Sequence, residues 1–350
     1  MVSLNFCTLF NSAYLSRGLA LYHSLVCCCP RFHLYVYAFD DTTYSYLNSQ
    51  NFKHLTVISL KEFEDEQLLR IKPTRTAGEY CWTCSSSTIL YSIEKFRLSN
   101  CTYIDADMYF YSNPSVLIEE MGNKSVLITE HRYTAAYDQS AVSGKYCVQF
   151  MCFKNTDEGM KVLRWWRNAC IDWCYGRVED GKFGDQKYLD SWTQQFEGVH
   201  ELQHLGGGLA PWNMQQYNFS KKEKKIYGTE ISTGKNFEVV FFHFHGLKLF
   251  SDNIVSLTGQ TYKMNPSALD VFFKPYVNEL ISTSENIHSQ TKHTFDANGA
   301  NTASPEKPLN FLSLLRFYIY DIRQSLQNIN GKKTGLRKKH HHYFKIKEII

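Results

Sequence analysis

The chain lacks any run of about 18 uncharged apolar residues, which excludes an ordinary transmembrane helix. Its opening Met-Val-Ser-Leu-Asn-Phe-Cys-Thr-Leu-Phe has neither a basic leader nor a long apolar stretch, so it reads as a first buried strand and not as a secretion signal. Charge of one sign is scarce in excess: 38 Lys+Arg against 34 Asp+Glu leave a net +4, too little for nucleic-acid binding by the whole chain. No CxxC pair is followed by a second at zinc spacing, and the 11 cysteines are odd in number and irregularly placed. That usage fits best a reduced, cytoplasmic protein whose thiols are small core residues. The sequons at Asn100, Asn123 and Asn218 would then never meet glycosylation machinery. The triple glycine Gly206-Gly207-Gly208 is not a phosphate loop, since no Gly-Lys-Ser/Thr follows it. There is no internal repeat.

What is present is core-forming sequence, 43% hydrophobic and 15% aromatic over 350 residues. Residues 3–9, 33–38, 54–59 and 101–105 read as strands, and 14–27, 43–50, 61–70 and 84–98 as helices between them. On the first helix Leu15, Leu19, Tyr22, Leu25 and Val26 are expected on one face. This β-α-β-α rhythm predicts an α/β fold with a mainly parallel sheet covered by helices on both faces. Further on, 125–130 and 147–153 read as strands, 156–175 as a helix whose Trp165, Trp166 and Trp173 pack, 184–192 as helical and 238–244 as one strand. The expected organisation is one domain over residues 1–281, a flexible linker or loop over 282–308 where large apolar residues thin out, and an amphipathic helix at 309–329 leading into a basic tail ending at 350.

Asp105-Ala106-Asp107 follows the strand-forming Thr102-Tyr103-Ile104. Two carboxylates one residue apart at a strand end offer hard oxygen ligands at the sheet edge where open α/β sheets bind ligands. Such oxygens suit Mn²⁺ or Mg²⁺, ions that commonly also hold substrate phosphates.

Four further segments fall in an order that resembles the GT-A glycosyltransferases, most closely family 8, which includes glycogenin and bacterial lipopolysaccharide galactosyl- and glucosyltransferases. The likeness spans about residues 3–250. Thr8-Leu9-Phe10-Asn11-Ser12-Ala13-Tyr14 looks like the family's first-strand motif, which implies that Tyr14 stacks on the base while Thr8 and Asn11 contact the nucleoside. Asp105-Ala106-Asp107 matches the metal motif, with Asp105 also touching the donor ribose. Phe241-Phe242-His243-Phe244-His245-Gly246-Leu247-Lys248 resembles the family's His-x-x-Gly segment. It implies His243 as third metal ligand, with His245 in reserve on the same strand face, and Gly246 and Lys248 beside the donor diphosphate. Gly184-Asp185-Gln186 resembles the segment that presents a carboxylate and an amide at the sugar, so Asp185 and Gln186 are the implied catalytic pair. Leu209-Ala210-Pro211-Trp212-Asn213 resembles the acceptor-side segment, and the glycines before it suggest a backbone that approaches a sugar closely. Where family members often carry Asn-x-Gly, this chain has Cys147-Val148-Gln149. The family's basic residue before the metal motif is missing too, with Arg75 as substitute.

The resemblance implies a metal-dependent hexosyltransferase with Mn²⁺ or Mg²⁺ as cofactor. It would move a sugar from a nucleotide diphosphate donor, UDP-linked, to a glycan or lipid-linked sugar acceptor with retention, in cell-surface polysaccharide or lipopolysaccharide synthesis. The alternative is an inactive protein of the same fold that binds a sugar nucleotide or glycan. A nucleotidyltransferase is disfavoured, because Phe10-Asn11-Ser12-Ala13 supplies no Gly-rich loop. Residues 316–350 hold nine Lys or Arg against Asp321 and Glu348, a local balance of +7. Interleaved with Phe317, Tyr318, Tyr320, Tyr343, Phe344 and Ile346, they predict peripheral attachment to an anionic membrane surface on the cytoplasmic side.

Overall fold

The computed structural model describes residues 4–259, 261–292, 295–306, 308 and 342–350. The expected helix at 309–329 and the basic stretch up to residue 341 lie outside those residues. The first part of the chain supplies strands β1 (Leu4–Phe10), β2 (Phe32–Ala38), β3 (Leu55–Ser59), β4 (Asn100–Ile104), β5 (Met108–Phe110), β6 (Val126–Glu130), β7 (Tyr146–Lys154) and β8 (Val199–Glu201). All but β5 join one sheet in the order β3-β2-β1-β4-β7-β6-β8. Only β7 runs against its neighbours; the other pairs are parallel. The mainly parallel α/β sheet read from the sequence is what the chain forms.

Both faces of that sheet are covered, which is why its strands are apolar at consecutive positions. Along β1, Phe6 and Phe10 point into one core and Cys7 and Leu9 into the other. The helix Leu15–Cys28 covers the first face with Leu15, Leu19, Tyr22 and Leu25; Val26, one step further round, is 51% exposed and not on that face. The helix Ala77–Phe96 covers the second face, together with Asp157–Asp172, where Trp166 is fully buried. The former starts seven residues before the expected 84. Thr76 and Glu79 form a capping box there, a signal present in the sequence and overlooked. No disulfide forms among the described cysteines, and most are buried. No described helix is long and apolar enough to cross a membrane.

The later chain adds β9 (Tyr217–Lys222), β10 (Lys225–Glu230), β11 (Asn236–Glu238), β12 (Phe241–His243), β13 (Lys248–Leu249), β14 (Ile254–Ser256) and β15 (Tyr343–Lys345). The expected single strand at 238–244 is two: β11 pairs with β10, while β12 crosses to pair antiparallel with β5. The apolar run is continuous because Val239, Val240 and β12 are all buried, so hydrophobicity could not reveal the change of partner.

Residues 282–291, expected in a linker, are the second half of the helix Lys274–Thr291. Its inward face continues through Leu280, Thr283, Ser284 and Ile287, and small polar residues on that face hid the periodicity. Beyond it Ala297 is fully buried. The tail aromatics near the end are also not free. Tyr343 is buried in β15 against β14, and Phe344 and Ile346 pack against a core shared with Val255 and Tyr276.

Candidate active site

Asp105 and Asp107 sit in the turn between β4 and β5, at the carboxyl end of a central strand of the sheet. The amide of Asp105 donates to the Gln149 carbonyl (3.1 Å) and the amide of Met108 back to Asp105 (3.2 Å), fixing the turn. β12 brings the third group. Its pairing sets His243 opposite Met108, and the Phe244 amide donates to the Asp107 carbonyl (2.9 Å). His243 Nε2 then lies 3.0 Å from Asp107 Oδ1 and 3.7 Å from Asp105 Oδ2. One ligand atom from each of the three falls within 4.8 Å of the others. His243 is buried, whereas both carboxylates remain partly open.

The other ring nitrogen explains the orientation. His243 Nδ1 stands 2.9 Å from Gln149 Oε1, and Gln149 is fully buried in β7. An amide oxygen can only accept, so Nδ1 carries the proton and Nε2 is directed at the two acids. This is the outer support that metal-ligating histidines need. Two carboxylates and one supported imidazole fit Mn²⁺ or Mg²⁺. Burial favours a neutral ring, but the charges of Asp107 and Asp105 dominate and hold the His243 pKa well above its usual range. Asp107, despite its own burial, is held down to about 2 by His243, while burial pushes Asp105 up to about 6.

His245 lies outside the group of three. β12 ends at His243, so the alternation that would place both rings on one face stops there, and His245 lies in the following turn, exposed, with its ring 5.8 Å from that of His243. Gly246 adopts φ +79° in this turn, a conformation that favours glycine. Lys248 is exposed on β13. Arg75 is spent elsewhere, over the Tyr175 ring (3.8 Å) and on the Ile171 carbonyl (3.2 Å).

Asp185 is 5% exposed. Burial and then the Asp105 charge raise its carboxyl to about 7, and the Ser85 hydroxyl opposes them. The Trp166 indole donates to the Asp185 carbonyl (2.9 Å), holding this segment to the core. Gln186 is placed differently: its amide nitrogen donates to the Ser143 carbonyl (2.7 Å), tying it to the end of the short helix Ser140–Ser143.

At the opposite lip, Ser12–Tyr14 make a single turn ahead of the helix at Leu15. Asp40 pins it, accepting from the Ser12 amide (2.8 Å) and hydroxyl (2.7 Å) with one oxygen and from the Thr43 amide (2.8 Å) with the other. Tyr14 stays 42% exposed, yet desolvation and the Asp107 charge both raise its phenol, which puts it within electrostatic reach of the acids. Asn11 is exposed beside it. Thr8 is fully buried on the face of Phe6 and Phe10, and its hydroxyl has no partner among the described residues.

Trp212 closes the site from below, edge-on to His243 (5.4 Å), His245 (5.5 Å) and His131 (5.0 Å), with its indole donating to the His131 carbonyl (2.9 Å). The glycines before it serve packing rather than an open approach to a sugar: a Cβ on Gly206 would stand 2.0 Å from the Glu238 carbonyl oxygen, and one on Gly207 2.7 Å from Leu202. His131 stacks on Tyr133 (4.5 Å), and Tyr133 lines an open cleft of about 560 Å³ with Glu130, Arg132, Asp138, Lys145 and Asp190. Sequence reading missed Gln149, which it noted only as a departure, and Arg17, a buried cation beneath Tyr14. Only the tertiary structure could reveal either.

No family model matches the chain. Two proteins of Bacillus subtilis (strain 168), both described as uncharacterized, are similar to it: YfnD, 28% identical over 284 residues (79% of this chain, 88% of YfnD), and YfnF, 29% identical over 283 residues (79% and 89%). Solved structures with a likeness include the galactosyltransferase LgtC with donor and acceptor sugar analogs (TM-score 0.45, 10% identity, 80% of this chain and 96% of LgtC) and mouse xyloside xylosyltransferase 1 (TM-score 0.43, 11% identity, 70% and 98%). Likeness at this level assigns no activity to this chain, although both solved proteins are glycosyltransferases, the class that the sequence motifs resemble.

Proposed function

We propose that this chain is a metal-dependent glycosyltransferase of the GT-A type, transferring a sugar from a UDP-sugar to a glycan acceptor with retention. The observation that carries it is the meeting of Asp105, Asp107 and His243 at the end of β4, with the Asp185 carboxyl close by. A bound Mn²⁺ or Mg²⁺ would act as a Lewis acid on the donor diphosphate and make it a better leaving group. Asp105, Asp107 and His243 would hold that ion, with Gln149 keeping the imidazole in register. Tyr14 offers a ring face for the base, and Asn11 a polar group beside it. Asp185, ionised above about pH 7, can accept from sugar hydroxyls and stabilise positive charge developing at the anomeric carbon. Trp212 and His131 wall the site from bulk water, and the cleft around Tyr133 offers carboxylates for an acceptor's hydroxyls.

The departure Cys147-Val148-Gln149 would favour the alternative of an inactive binding protein. Gln149 instead supports a proposed metal ligand, so that departure no longer argues for a decayed site. Incubating wild type and Asp107→Ala with a panel of sugar nucleotides and Mn²⁺ tests the reading. Slow hydrolysis of one donor is expected, reduced on the order of a hundredfold in the variant; equal rates would overturn it.

The acceptor class follows from the basic tail: a lipid-held glycan at the cytoplasmic face of a membrane, for cell-surface polysaccharide or lipopolysaccharide synthesis. Replacing Lys332, Lys333, Arg337, Lys338 and Lys339 by Ser should abolish co-flotation with phosphatidylglycerol vesicles. Undiminished flotation would remove the argument for a lipid-held acceptor.

A further inference from the structure

We propose that Arg17 is a positioning residue for the nucleotide-sugar donor, a single buried guanidinium that fixes the Tyr14 ring to the loop following His243. The inference rests on the glycosyltransferase reading above.

Arg17 lies in the first turn of the helix Leu15–Cys28 and is only 3% exposed. Its guanidinium carbon stands 4.5 Å from the Tyr14 ring centroid, a cation–π contact. One end nitrogen donates to the Leu247 carbonyl (3.2 Å), just past the Gly246 turn that follows His243. The other donates to the Asn298 carbonyl (3.2 Å). One side chain therefore joins the nucleoside lip, the loop after the third proposed ligand and a segment from far along the chain. That last segment is itself fastened to the helix start: the Ser16 amide donates to the Ala297 carbonyl (3.1 Å), the Ser16 hydroxyl bonds Asn298, and Gly299, at φ +67°, packs on Ala13.

A buried cation is costly, and both hydrogen bonds of Arg17 go to neutral carbonyls, while its charge reaches Asp107 without a direct bond. An apolar side chain would fill the space at lower cost if packing were the only need. The planar fork suits the task because it serves two carbonyls while one face lies on a ring, which an ammonium cannot do. Beside it, the fully buried Tyr276 hydroxyl has no partner among the described residues. Tyr14, 42% exposed, depends on Arg17 for a fixed orientation.

The test uses the full chain as wild type, Arg17→Lys, Tyr14→Leu and the double variant. Readouts are UDP affinity by calorimetry at saturating Mn²⁺, Mn²⁺ affinity without nucleotide, donor KM and kcat, and the melting curve. Arg17→Lys should weaken UDP binding and raise donor KM about tenfold, with kcat and Mn²⁺ affinity within about twofold. In the Tyr14→Leu background the same change should cost under about twofold, because the ring it orients is gone. Additive penalties, or an unchanged KM with only a lower melting temperature, overturn the proposal. Should wild type itself bind no UDP with Mn²⁺, the glycosyltransferase reading falls and this proposal with it; should wild type and Arg17→Lys bind equally, this proposal falls alone.

Discussion

Nε2 of His243 stands 3.0 Å from Oδ1 of Asp107 because a two-stranded ribbon, β5 with β12, sets His243 opposite Met108. The ribbon fixes the backbone, and Gln149 fixes the ring about it. Neither device is part of the acidic motif, so the proposed metal site depends on residues that would hold no metal themselves.

Gln149→Leu should therefore weaken Mn²⁺ binding by about 10–100-fold while leaving Asp105 and Asp107 in place. Calorimetric titration with Mn²⁺ reads this directly. An unchanged affinity would show that the imidazole needs no support from β7.

Tyr14→Leu removes a flat ring from the proposed nucleoside lip. UDP affinity should fall by about 1–3 kcal/mol, and Mn²⁺ affinity measured without nucleotide should hold. If UDP binds the variant as tightly as wild type, the base lies elsewhere.

Asp185 makes stability depend on pH with a definite sign. Its folded pKa, about 7, lies above the ordinary value of about 3.9 for an unfolded Asp. The folded state keeps the proton longer, so this group's stability contribution is present in acid and is lost as pH rises toward 7. Asp185→Asn, which cannot ionise, should raise the urea midpoint at pH 8 in EDTA more than at pH 5, and should lower donor turnover. A midpoint shift equal at both pH values would contradict the raised carboxyl.

Gly206→Ala forces a methyl to 2.0 Å from the Glu238 carbonyl oxygen, a backbone atom that cannot swing aside. A loss of about 1–3 kcal/mol is expected by chemical denaturation. Gly78→Ala, with nothing within 4 Å of the added carbon, should instead be neutral or stabilising by up to about 1 kcal/mol. A Gly206→Ala protein as stable as wild type would mean that the Glu238 backbone can shift.

Much of the sheet was legible because its strands are short apolar runs bounded by polar turns, as with 33–38 before Asp40 and 101–105 before Asp107. The Trp-rich helix was legible for the same reason: its buried positions recur at helical spacing. Errors fell where pattern and partner diverge. Residues 282–291 are helical with an inward face of Thr283 and Ser284 as well as Ile287, and composition mistook them for a loop. Tyr343 and Phe344 were read as membrane-facing beside their basic neighbours, but backbone pairing with β14 draws them against the body.

By itself the sequence determined the alternating architecture and the two acids at a strand end, because hydrophobic period and strand-ending carboxylates are local properties of neighbouring residues. Which histidine faces those acids, which amide steadies it and which carbonyls hold the Arg17 guanidinium were decided by tertiary structure alone. Those contacts join residues far apart in the chain, and their geometry exists only once β12 has paired with β5 and residues 296–299 have packed on the first helix.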